Sequence, residues 1–264
     1  MKTIGLVLSG GGMRGVAHLG VLQVLSELGI EPATISGTSA GALVGAMHAA
    51  GHSIETIFKF FINTPVFKLG NLSTTKPGFI DTEKFRPLLR SYFPDDDFSA
   101  LHKKLYVTTT DLIHGRSRTF SAGPLVDTLL ASAAVPVVFS PVKIDNLLYT
   151  DGAALNNFPV EPLSGQHDII IGVNVHPLKN AHPDHINSAL KVMERIFHLT
   201  VHHHAMQKYH DCDLVITPTE LARFGTFDRG NLEEIFEIGY RAAHACRREL
   251  LQLIGDEEMG NNAI

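Results

Sequence analysis

Along the chain, short apolar runs that end at glycine alternate with longer stretches whose apolar positions recur every three or four residues. Residues 4–8 form such a run, closed by Gly10-Gly11-Gly12, and apolar positions then recur at Val16, Leu19, Val21, Leu22, Val24, Leu25 and Leu28. The pattern predicts a strand, a turn and a helix that stops at Gly29. Only Gln23, Ser26 and Glu27 give that helix a polar stripe, so it is expected to be covered on most sides. Residues 32–36 predict a second extended segment, which runs through Gly37-Thr38-Ser39-Ala40-Gly41 into a helix of small residues over 42–50.

Helical spacing returns over 53–62 and 82–93, and the polar Gly/Pro-containing connection 68–78 between them is expected to be a flap. Strands are predicted at 106–111 and 118–120, a helix at 125–134 closed by Pro136, and a strand at 147–150. The β-branched run 169–175 has the character of a strand buried on both faces. A long helix over 185–208, a strand at 214–217 and a last helix over 232–253 follow. Strands alternating with helices predict an α/β fold, a mostly parallel or mixed sheet with helices on both faces. Residues 1–255 are expected to form one domain, followed by a polar tail over 256–264.

Composition narrows the function classes. Of 264 residues, 44% are hydrophobic and 19% charged, as in an ordinary globular chain. The formal charge of −5 lacks the basic footprint of a general nucleic-acid binder, so nucleic acid is not expected as a partner. Cys212 and Cys246 are too few for a disulfide scaffold or a four-cysteine zinc site. The first residues are too short an apolar run for a signal-peptide core, and no run is long enough to span a bilayer. The expectation is a cytoplasmic protein that, if its substrate is lipid, works peripherally at the inner membrane surface.

Three motifs carry chemistry. The first is Gly37-Thr38-Ser39-Ala40-Gly41, a G-x-S-x-G between a short strand and a helix. A serine on such an elbow projects its hydroxyl from a tight turn, and the next helix N-terminus favours a developing oxyanion. The plainer reading is a glycine-rich turn with an N-capping serine. The second motif, Gly10-Gly11-Gly12-Met13-Arg14-Gly15, exposes backbone N–H groups at another strand-to-helix turn and suits an anion. It also spells G-x-G-x-x-G, but the acidic residue expected at the end of the second strand of a dinucleotide site is missing. No Gly-Lys-Ser/Thr follows it, so the phosphate-loop reading fails too. An oxyanion hole serving Ser39 accounts for both glycine motifs. The third motif, Asp151-Gly152-Ala153 after the strand 147–150, offers a base for the serine, although Asp-Gly is also a common turn.

In this order the three motifs resemble the patatin-like phospholipase family. The segments Ala131-Ser132-Ala133-Ala134-Val135-Pro136, Phe139-Ser140-Pro141-Val142 and Asn156-Asn157-Phe158-Pro159 are similar to other recurring parts of that family. The resemblance spans most of the chain and looks closest to stand-alone bacterial members related to the neuropathy-target-esterase branch. It implies a three-layer α/β/α fold around a mostly parallel, mixed sheet. It further implies a Ser–Asp dyad, with Ser39 as nucleophile and Asp151 as base, amides around Gly11, Gly12 and Met13 as oxyanion donors, an acyl-enzyme, and no metal or other cofactor. Ala153 stands where many members carry glycine.

Other readings stay open at this stage. His167 or His176 would complete a Ser, Asp, His order, though the elbow comes earlier in the chain than that triad fold places it. His198, His202, His203, His204 and His210 cluster on the predicted long helix, with His198 and His202 on one face, but no HExxH frame accompanies them. Arg14 suits either a substrate phosphate or its own loop. Phe58, Phe60, Phe61 and Phe67 suit core packing better than an acyl channel. Rivals to the lipid esterase are an adaptor that keeps the fold without catalysis and an acyltransferase.

Overall fold

The computed structural model describes residues 2–64 and 69–255. The polar tail expected over 256–264, and Phe67 and Lys68 of the expected aromatic group and flap, lie outside the described residues. The first apolar run is β1 (Ile4–Leu8), followed by a 3-10 turn (Gly12–Val16) and α1 (Ala17–Glu27). Gly29 takes φ +67, the left-handed conformation that ends a helix, as its position predicted. Then come β2 (Thr34–Thr38), α2 (Ala40–Ala49) and α3 (Ile54–Asn63). The stretch 82–93 divides into a 3-10 turn (Thr82–Phe85) and α4 (Arg86–Tyr92).

Beyond α4 lie β3 (Lys104–Asp111), β4 (Arg116–Phe120), α5 (Leu125–Ser132), β5 (Val142–Ile144) and β6 (Leu147–Asp151). The chain continues with β7 (Ile169–Val173), α6 (Ala189–Met206), β8 (Leu214–Ile216), α7 (Leu232–Ala245) and α8 (Arg247–Ile254). Two differences from the sequence pattern stand out. The last predicted helix is two, divided at Cys246. Strand β5 escapes the periodicity because it has only three residues; its signal is the turn Asp145-Asn146, where both residues take positive φ and close a two-residue hairpin to β6.

The sheet is mixed, with pairing order β5-β6-β3-β2-β1-β7-β8 and β4 against β3. The pairs β1–β2, β1–β7, β2–β3 and β7–β8 are parallel. Side chains alternate between its faces, as strand geometry requires. Leu6, Leu8, Ile169 and Ile171 join the larger core with α1, α2, α5 and α7, whereas Val7 and Ile170 join a smaller one with Phe158, Leu163 and Ala205 of α6. The layers are therefore helix, sheet, helix. Helix α7 lies directly on α1: a Cβ on Gly20 would fall 2.3 Å from the Phe236 carbonyl oxygen, and one on Gly239 2.0 Å from that of Ala17.

The edges of β3 position the site. Strand β4 takes one edge, pairing with residues 107–111. On the opposite edge β2 runs parallel up to Thr38↔Thr108, and β6 arrives antiparallel with Asp151↔Thr109. The C-terminal ends of β2 and β6 thus meet end to end on adjacent rows.

Candidate active site

Ser39 occupies the single residue between β2 and α2, with φ 55 and ψ −123. A non-glycine residue in that conformation is strained by roughly 1–3 kcal/mol, and the surroundings must hold it. Its amide donates to Ser132 Oγ (2.9 Å), whose hydroxyl in turn donates to the Thr108 carbonyl (2.7 Å). Close backbone packing forces the glycines on either side. A Cβ on Gly41 would lie 2.2 Å from the Leu8 carbonyl oxygen, and one on Gly37 would lie 2.7 Å from that of Gly41. The N-terminus of α2 begins at Ala40, so the dipole of that helix favours negative charge beside Ser39.

The Ser39 hydroxyl donates to Asp151 Oδ2 at 2.6 Å. Both residues are buried, at 5% and 2% exposure. Oδ1 of Asp151 accepts from the Ala153 amide (2.8 Å), and the Asp151 backbone is fixed by Ala134 O and Thr110 Oγ1. No cation pairs with this carboxylate among the described residues. Burial raises its pKa to about 7, only partly offset by the hydrogen bonds from Ser39 and Ala153. Gly152 follows because a Cβ there would meet the Thr108 carbonyl oxygen at 2.4 Å.

The glycine loop lies against the serine: a Cβ on Gly10 would be 3.1 Å from Ser39 Cβ, and one on Gly15 2.5 Å from Ala40 Cβ. Two of its amides are engaged, Gly10 N–H on Asn157 O (3.3 Å) and Met13 N–H on Thr226 O (2.8 Å). Among the described residues no acceptor meets the N–H of Gly11 or Gly12. Met13, expected among the donors, is therefore committed elsewhere. Arg14 grips its own loop through Nε on the Gly11 carbonyl (3.2 Å) and turns its guanidinium away from Ser39 toward His176.

Neither candidate histidine joins the pair. His167 places Nδ1 on Leu163 O, and His176 places Nδ1 on Arg14 and Nε2 on His198. Among the described residues no three His, Cys, Asp or Glu side chains are arranged to hold a metal ion.

Beside Ser39 opens an apolar cavity of ≈ 130 Å³ whose lining includes Phe60, Phe61, Phe85, Leu130, Phe139 and Phe227. Phe60 and Phe61 are core residues and cavity wall at once, while Phe58 packs on Phe236. Phe85, Phe139 and Phe227 are not legible as lining, since they come from separate segments that only the fold brings together. At the rim backbone bonds join three segments: Phe79 N–H donates to Val137 O, Ser73 N–H to Phe79 O, and Leu72 bridges Ile80. This rim exposes Phe79 (69%), Val137 (52%) and Leu72 (46%), and Val137 is held at φ 71. These bonds close residues 72–80 on themselves and so tie down most of the connection over 68–78 expected to be a flap.

Residues 6–164 match the family model described as patatin-like phospholipase. An uncharacterised NTE family protein of Mycobacterium tuberculosis is 33% identical over 189 residues, covering 69% of this chain and 52% of that protein. A lysophospholipase of Emericella nidulans is 23% identical over 281 residues, covering 95% of this chain and 18% of its own length. The chain thus spans about half the length of the mycobacterial relative and a smaller part of the fungal one. Among solved structures, VipD from Legionella pneumophila superposes with a TM-score of 0.66 at 16% identity, covering 94% of this chain and 67% of that one. Human GIVD cytosolic phospholipase A2, solved with methyl gamma-linolenyl fluorophosphonate, gives 0.55 at 12% identity, covering 96% and 58%. At these identities the likeness is one of fold.

Proposed function

Because the chain belongs to the patatin-like phospholipase family, on the branch that includes the NTE proteins, we propose that it is a serine hydrolase of lipid acyl esters, of the phospholipase A or lysophospholipase type, with residues 1–255 as its catalytic domain. The observation that carries this reading is the buried hydrogen bond from Ser39 Oγ to Asp151 Oδ2. Asp151 takes the hydroxyl proton as Oγ bonds to the ester carbonyl carbon. The carbonyl oxygen becomes an oxyanion and meets the free amides of Gly11 and Gly12, with the α2 N-terminus behind them. Collapse of this intermediate breaks the bond to the alcohol, which leaves with the proton from Asp151. Water then repeats the sequence on the acyl-enzyme and frees the fatty acid. The acyl chain lies in the phenylalanine-lined cavity, whose burial of methylenes is worth about 0.8 kcal/mol each.

Membrane contact belongs to the same proposal. Adjacent exposed apolar side chains such as Phe79, Val137 and Leu72 are unfavourable on a free surface. Set beside the acyl cavity, Phe79 and Val137 suit insertion into a lipid surface from which substrate is drawn. No helix among the described residues is long and apolar enough to cross a membrane.

A fluorophosphonate probe is expected to label Ser39 and to stop turnover of phospholipid and aryl ester together. Labelling or turnover that survives in Ser39→Ala would refute the assignment. The intact Ser39–Asp151 contact favours an enzyme over an adaptor, and product analysis with added alcohol acceptors separates hydrolase from acyltransferase.

A further inference from the structure

A second cavity of ≈ 130 Å³ is lined by Arg14 of the glycine loop and does not include Ser39. Arg14, His176, His198 and Thr226 line it, together with Lys179 and Arg195. The volume is on the order of ten times the roughly 10–15 Å³ that one water requires. Its chemistry is the opposite of the acyl cavity, with cations and imidazoles in place of phenylalanine rings.

Arg14 is only 5% exposed, and among the described residues no carboxylate pairs with it. Its hydrogen bonds use Nε, on Gly11 O, and Nη2, on His176 Nδ1 at 2.9 Å; no acceptor among the described residues meets Nη1. A guanidinium can only donate, so His176 Nδ1 is the acceptor and His176 Nε2 carries the proton. That proton is given to His198 Nδ1 at 2.9 Å, which leaves the His198 proton on Nε2, 3.9 Å from Glu194 Oε1. Both rings are neutral in this chain, and neither supplies counter-charge to Arg14. Glu194 is the one acidic residue lining the cavity among the described residues, and Lys191 already pairs with it at 2.8 Å. Burial alone lowers the Arg14 pKa to about 10, and burial together with Arg14 and the neighbouring histidines holds His176 well below its usual value. Arg14, His176 and His198 therefore all resist further positive charge. A buried, unpaired cation is costly, and an anion beside it removes the cost.

We propose that this cavity binds a phosphate-type anion, held by Arg14 at its base and by Lys179 and Arg195 at its opening. Tetrahedral phosphate oxygens accept several charge-assisted hydrogen bonds at once, which suits a guanidinium with an unused nitrogen and two further cations, of which Arg195 is anchored through Nη1 on the Lys179 carbonyl at 2.7 Å. The occupant also sits one hydrogen bond from catalysis. Arg14 grips the carbonyl of the Gly11–Gly12 peptide, and in a trans peptide the Gly12 N–H points to the opposite side.

The test is a titration of the full chain with inorganic phosphate, followed by calorimetry and 31P NMR. One saturable site is expected, weakened about tenfold or more in Lys179→Ala/Arg195→Ala, since each charged hydrogen bond is worth roughly 1.5–3 kcal/mol. Both substituted side chains lie toward the surface, and the Ser39→Ala protein is expected to bind phosphate as the wild type does. A parallel titration with glycerol phosphate separates the sources of the ligand. Tighter binding of the ester, with phosphate competing against a lysophospholipid but not against an uncharged aryl ester, assigns the site to a lipid headgroup; equal or weaker binding assigns it to free phosphate. Absence of saturation below about 10 mM, or binding indifferent to the double substitution, overturns the proposal. Since phosphate binding is read without turnover, failure here leaves the hydrolase reading standing, and failure of that reading leaves this one.

Discussion

Ser39 and Asp151 lie 112 positions apart in sequence, yet the hydroxyl of one sits 2.6 Å from the carboxylate of the other because their strands abut end to end. Strands β2 and β6 share one edge of β3, and their last residues fall on the neighbouring rows Thr108 and Thr109. Two strand ends hold the pair, with no long loop between them. The same arrangement buries the carboxylate without a cation, and that burial gives Asp151 the chemical character of a base near neutrality.

The proposed mechanism requires ionised Asp151, so kcat/KM for a soluble aryl ester is expected to rise with pH through about 7 and then level off. The Asp151→Asn protein is expected to lose on the order of 10²–10⁴-fold in kcat, the usual worth of a positioned base. A wild-type profile that is flat between pH 5 and 8 would argue against this carboxylate as the base.

Stability runs the other way. The folded-state pKa of about 7 stands above the ordinary 3.8, so between those values the native state binds the proton that the unfolded chain releases. Asp151 therefore favours folding below pH 3.8, and this contribution is lost as pH rises through the window to about 7, an upper bound of roughly 4 kcal/mol. Thermal unfolding of Asp151→Asn and wild type, compared at pH 4.5 and 8, is expected to show the variant gaining on the wild type at the higher pH. A melting difference independent of pH would contradict the assignment.

The positive φ of Ser39 gives a second trade between stability and activity. Glycine adopts that conformation without the Cβ penalty of roughly 1–2 kcal/mol. Ser39→Gly is expected to melt about 2–4 °C above Ser39→Ala, with both inactive. Equal melting temperatures would mean that the elbow stores no strain.

What the sequence made legible follows from where each signal lies. The elbow glycines, the Gly10–Gly15 loop and Asp151 are local motifs whose chemistry depends on turns, and turns are written in neighbouring residues. The pairing of β2 and β6 on one edge of β3 is not local, so no periodicity could reveal that Asp151 meets Ser39; only the family resemblance did. The Phe85, Phe139 and Phe227 walls, and the chain from Arg14 through His176 to His198, join residues from distant segments for the same reason. Gly20 and Gly239 lie inside α1 and α7, where glycine ordinarily weakens a helix, and their role appears only when α7 is laid on α1.

The rim of the acyl cavity separates binding to a lipid surface from chemistry. Phe79 and Val137 are exposed and adjacent, and neither lines the cavity. Inserting the phenylalanine alone into an apolar layer is worth roughly 1.5–3 kcal/mol, which corresponds to about a tenfold or greater change in partition. Phe79→Ser is therefore expected to weaken sedimentation with phospholipid vesicles and to slow hydrolysis of vesicle lipid by that factor. Turnover of a monomeric aryl ester is expected to change far less, because the Ser39–Asp151 pair and the cavity walls are untouched. Val137→Gly serves as the companion variant: it removes an exposed side chain and relieves the left-handed strain, so it should bind vesicles less well while melting no lower than the wild type. Vesicle hydrolysis that is unaffected in both variants would show that lipid reaches Ser39 by another face of the molecule.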